Sequence, residues 1–81
     1  MDNMKIDYKL KKVDVILNKE FYSIDAIKKA INDFKDACDA SLSNKKDILV
    51  SLRVKTNDDI DKIGYEFCNY VLALMKNEGI V

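Results

Sequence analysis

The chain predicts an α+β fold, a β-α-β-β-α two-layer sandwich in which a three-stranded sheet carries both helices on one face. Apolar residues alternate at a period of two in three stretches, recur at three- and four-residue spacing in two others, and are separated by polar or capping residues. With 81 residues and no internal repeat, the chain reads as one domain over residues 1–81, with residues 1–5 expected to be disordered. At this size nearly every apolar stretch is needed for the core, because surface grows relative to buried volume as domains shrink.

Ile6, Tyr8 and Leu10 alternate, and Val13, Val15 and Leu17 alternate again with the parity shifted. One strand over residues 6–18 accommodates the shift with a bulge near Lys11 and Lys12, where an extra residue restores the same buried face. Ser23 then precedes Ile24, Ile27, Ile31, Phe34 and Cys38, a helical stripe flanked by Ala26 and Ala30. Ser23 suits an N-cap and Asp25 suits the positive end of the helix dipole, which predicts a helix over 24–37.

Cys38, Ala40 and Leu42 alternate with polar residues, and Ile48, Val50, Leu52 and Val54 do so again. The stretch "NKKD" between them predicts an antiparallel hairpin; its turn lacks Gly, and although Asn44 tolerates a left-handed conformation the turn type is open. Thr56 or Asn57 then caps a second helix over 58–77. Its stripe is Ile60, Ile63, Phe67, Val71 and Leu74, widened by Leu72 and Met75, with Gly79 just past its end. A crossover through the first helix makes strands one and two parallel, and strand three fits between them, antiparallel to both. The opposite face of the sheet is left uncovered.

Fourteen basic and fourteen acidic residues cancel to zero net charge, so no long-range field draws the protein to nucleic acid or an anionic membrane. The longest apolar run, "VLALM", is far too short to span a bilayer, and the N-terminus lacks an apolar signal region. A cytoplasmic location follows as the default, with Cys38 and Cys68 as free, buried thiols. The partner expected on these grounds is a protein or peptide.

The chain contains no His, which removes the commonest general base, the Ser/His and Cys/His pairs and the commonest metal ligand. No enzymatic activity, metal or cofactor is expected. Asp58, Asp59 and Asp61 read as first-turn acids that complement a helix dipole, since the Gly and terminal Glu of a calcium loop are missing. Lys9, Lys11, Lys12, Lys45 and Lys46 read as guards against stray strand pairing. An RNA-binding sheet would add stacking aromatics or a GXXG loop, and neither is present.

Phe21 and Tyr22 precede the cap, where an apolar residue commonly staples back onto the first helical turn; that use suits Phe21 better, while Tyr22 is open between staple and recognition surface. Of Tyr65 and Tyr70, off the centre of the second stripe, one borders the core and the other faces out. Leu10, Ile16 and Leu49 fall outside or between the main stripes. The candidate partner-binding residues are therefore Phe21, Tyr22, Leu10, Ile16 and Leu49.

The stretch "VILNKEFYSIDAIKKAINDF" (15–34) resembles the HxsD family of the His-Xaa-Ser system. The matching positions are Tyr22, Ser23, Ala26, Ile27, Lys29, Ala30 and Phe34, and the order of elements agrees over residues 13–75. The resemblance implies a non-catalytic accessory protein of a radical S-adenosylmethionine (SAM) peptide-modification system, binding either the maturase or the small precursor peptide. The outward edge of the first or second strand could then accept an extended peptide as an added strand. A second reading is a homodimer or larger self-assembly through sheet edges or uncovered faces. An RNA-binding module ranks last, because zero net charge predicts no salt-sensitive binding.

Overall fold

The computed structural model describes residues 3–79. The elements run β1 (Asn3–Asp7), β2 (Lys12–Leu17), α1 (Ile24–Asp33), β3 (Cys38–Asn44), β4 (Ile48–Val54) and α2 (Ile60–Asn77). They form an α+β fold with a single four-stranded sheet of order β1-β2-β4-β3, antiparallel throughout. The expected placement of the last strand holds: β4 lies between β2 and β3 and pairs antiparallel with both.

The three-stranded sheet is corrected to four strands, because the expected first strand is two. Residues 8–11 form a tight turn in place of a bulge, and β1 folds back on β2 with Ile6 opposite Val13 and Asp7 opposite Lys12. Asp7 makes the turn by accepting the backbone N–H of Leu10 at 3.0 Å, the local bond for which Asp is favoured at the start of a turn. Lys11 completes the reversal with a left-handed φ of 54°. Residues 3–5, expected to be disordered, belong to β1; residues 1 and 2 lie outside the described residues.

The inward residues of the sheet form rows, Val13 opposite Leu52, Val15 opposite Val50 and Leu17 opposite Ile48. All six are buried with Ala26, Ile27 and Ala30 of α1 and Ile63, Phe67, Val71 and Met75 of α2 in one continuous core. Both helices thus cover the same face. Gly64 lets α2 approach the β1–β2 hairpin closely, since a Cβ there would stand 2.8 Å from Met4 Sδ and 3.0 Å from Val13 Cγ1. Leu72, expected on the buried stripe, is exposed.

Ser23 caps α1 as expected, its Oγ accepting Ala26 N–H at 3.2 Å. The helix ends four residues early, at Asp33, because Phe34–Ala37 tighten into turns in which Phe34 O accepts from Ala37 and Cys38. Phe34 is held there by an edge-on contact with Phe67 and a tilted one with Tyr70, both at 5.4 Å. The N-cap of α2 is Asp59, not Thr56 or Asn57; the Thr56 hydroxyl donates to Asp58 Oδ2 at 2.6 Å and shapes the approach instead. Gly79 ends α2 with a left-handed φ of 74°, its N–H donating to Lys76 O.

Candidate functional site: the uncovered sheet face and its β3 edge

Because side chains alternate along a strand, the residues between the core rows point away from the helices. Three rows cross this face. The first is Asp7, Lys12, Arg53 and Asp39; the second is Lys5, Asp14, Ser51 and Ser41; the third includes Ile16, Leu49 and Ser43. One end of the face is charged and the other apolar, with a polar row between.

The middle row is tied together. Ser51 Oγ donates to Asp14 Oδ1 at 2.7 Å, and Lys12 Nζ stands 3.7 Å from the same oxygen. At the β3 edge Lys55 Nζ lies 3.5 Å from Asp39. Both carboxylates therefore have a cationic neighbour, whereas Arg53 makes no ion pair among the described residues. A cavity of about 320 Å³ opens at the charged end, lined by Leu10, Lys12, Asp39, Ala40, Ser41, Ser51 and Arg53.

The five candidate residues separate in the structure. Ile16 and Leu49 are direct partners across β2 and β4 on the uncovered face. Leu10, 52% exposed in the β1–β2 turn, borders the cavity at the opposite end of β2. Phe21, in the loop that leaves β2 beyond Leu17, is 70% exposed, while Tyr22 is half-buried against the core. The expected staple is thus reversed, for a positional reason: Tyr22 immediately precedes the Ser23 cap, the place from which a side chain reaches back onto the helix.

The sequence gives no sign of the grouping of Lys12, Arg53, Asp39 and Ser41, which depends on strand order and register. Tyr8 is a second omission; its place in an apparent alternation suggests burial, but it lies in the turn and is 66% exposed.

The two edges of the sheet differ. β1 is short and carries Lys5 and Asp7. β3 has seven residues in unbroken register with β4, no Pro, no bulge and a single charge, Asp39. Long edges of low charge are the ones able to take another strand. The outer side of β2 is occupied by β1, so of the two edges expected to accept a peptide that of the first strand passes to the short, charged β1, whereas that of the second strand, β3, is open along seven residues.

Little reactive chemistry surrounds these surfaces. Burial pushes the Cys38 thiol above its ordinary pKa, Asp39 adds to the shift and Lys55 opposes it, which keeps the sulfur protonated. Cys68 is also free and buried. Among the described residues no three His, Cys, Asp or Glu side chains are grouped to hold a metal. No helix among them is long and apolar enough to cross a membrane. No known family, curated protein or solved structure matches the chain.

Proposed function

We propose that the protein is a non-catalytic adaptor, the role its resemblance to the HxsD-like accessory proteins implies, and that it docks an extended segment of a partner protein along β3. The partner is then a radical SAM maturase or its small precursor peptide, and the adaptor performs no chemistry itself. The observation that carries this reading is the open, seven-residue β3 edge with one charge. Main-chain hydrogen bonds at such an edge provide affinity, and alternate side chains provide selectivity. The lack of His and the protonated Cys38 are consistent with a binding role.

Self-assembly is the second reading, and charge bears on how it could occur. A second copy laid on the uncovered face with its two-fold axis along the strands brings Asp7 against Asp39 and Lys12 against Arg53, like facing like. Edge pairing avoids this, because two β3 strands centred on Ser41 bring no like charges opposite.

Light scattering over a concentration series, with the protein alone and with any neighbouring radical SAM maturase, separates the readings. A shift into a stoichiometric complex with the maturase supports the adaptor. A dimer that persists unchanged when the maturase is added rules it out in favour of self-assembly.

A further inference from the structure

The cavity beside β3 has a charge pattern that selects what an added strand would carry. Asp39 is beside Lys55, and Asp14 is beside both Lys12 and the Ser51 hydroxyl. Arg53 is left as the cation of the cavity without an ion pair among the described residues, with Lys12 next to it across the strands. The guanidinium is a planar fork suited to a carboxylate; its direct partner across β3 and β4 is Asp39, which is paired with Lys55, and Ser41 lines the same cavity as a further hydroxyl donor. The volume, about 320 Å³, is at the small end for ligand sites and suits one side chain.

We infer that this cavity is a carboxylate subsite, receiving a Glu side chain from an extended peptide paired with β3. The inference rests on the edge-docking reading above and names the chemistry of the docked segment. An added strand would lie roughly 10 Å, two strand spacings, from β4. Arg53 and a Glu on the added strand reach toward each other across β3. The Glu must stand opposite Ser41, because opposite Asp39 two carboxylates would face one another.

The test uses blocked nine-residue peptides of alternating Thr and Val with a single central Glu, Gln or Lys, followed by fluorescence anisotropy with the intact protein. At low salt the Glu peptide binds roughly fivefold more tightly than the Gln peptide, the scale of one partly exposed ion pair. Arg53→Gln abolishes the difference and Arg53→Glu transfers the preference to the Lys peptide. Arg53 is exposed, so neither change disturbs the core, and circular dichroism confirms the fold. Ser41→Asp, which adds a carboxylate without altering Arg53, also removes the Glu preference. Equal binding of Glu and Gln peptides overturns the subsite while leaving edge docking intact. A Glu preference that survives Arg53→Gln overturns it too. Binding of none of the peptides overturns edge docking, and the subsite with it.

Discussion

Ile16 and Leu49 stand directly opposite one another across β2 and β4, on the face that no helix covers. Their neighbours in sequence, Val15 and Val50, form the next pair along the ladder and are fully buried. One residue of register thus separates a pair that holds the fold from a pair free to meet a partner.

Substitutions on the two faces should differ accordingly. Leu49→Thr changes unfolding free energy by no more than about 0.5–1 kcal/mol, since it leaves the core rows untouched and introduces a β-branched side chain that strands favour. Leu52→Ala, in the core row, costs about 2–5 kcal/mol. Urea denaturation of both variants measures the contrast, and equal losses would mean that the uncovered face is buried in solution.

Gly64 is required by close approach and not by backbone conformation. A β-branched side chain there meets Val13 as well as the flexible Met4, so Gly64→Val destabilises by about 1–3 kcal/mol through overpacking. Pairing it with Val13→Ala should recover part of that loss, a coupling that a double-mutant cycle detects.

The Tyr70 hydroxyl donates to Asp33 Oδ2 at 2.6 Å, linking α2 to the last residue of α1. That bond, with lesser contributions from burial and the Asp33 charge, raises the phenol pKa above its ordinary 10.0. A raised folded-state pKa contributes stability in full below the unfolded value, and the contribution is lost as pH rises through the folded one. Stability of the native chain should therefore decline above about pH 10 more steeply than that of Tyr70→Phe, by chemical denaturation at stepped alkaline pH.

Ser23→Ala removes the side-chain acceptor for Ala26 N–H. The expected loss is about 0.5–2 kcal/mol. Phe21→Ser, two residues earlier at an exposed position, should be neutral within about 0.5 kcal/mol. A large loss for Phe21→Ser would return that residue to the staple role.

Much of this architecture is legible in the sequence for a specific reason. Val13, Val15 and Leu17 alternate without fault, and Ser23 with its following stripe marks a helix start, so β2, α1 and the β3–β4 hairpin can be placed from pattern alone. β1 is hidden because it offers only Met4 and Ile6 to the core, and Tyr8 and Leu10 carry its parity on into the turn. Asp7 is the readable sign of that turn, but the left-handed residue is Lys11, where a Gly would have marked it. Of the candidate site, Ile16 and Leu49 stand out as apolar residues off the buried parity. Arg53 and Lys12 look like ordinary solvated charges until β4 is known to lie between β2 and β3.

The claim that β3 is the docking edge is tested most directly by amide hydrogen exchange on β3, in the protein alone and after a radical SAM maturase or its precursor peptide is added. The account predicts fast exchange at alternate β3 amides in the free protein, where no strand pairs with them, and strong protection of those amides in the complex. A complex that forms with β3 amides still exchanging freely, and protection confined to α1 or α2, would contradict it.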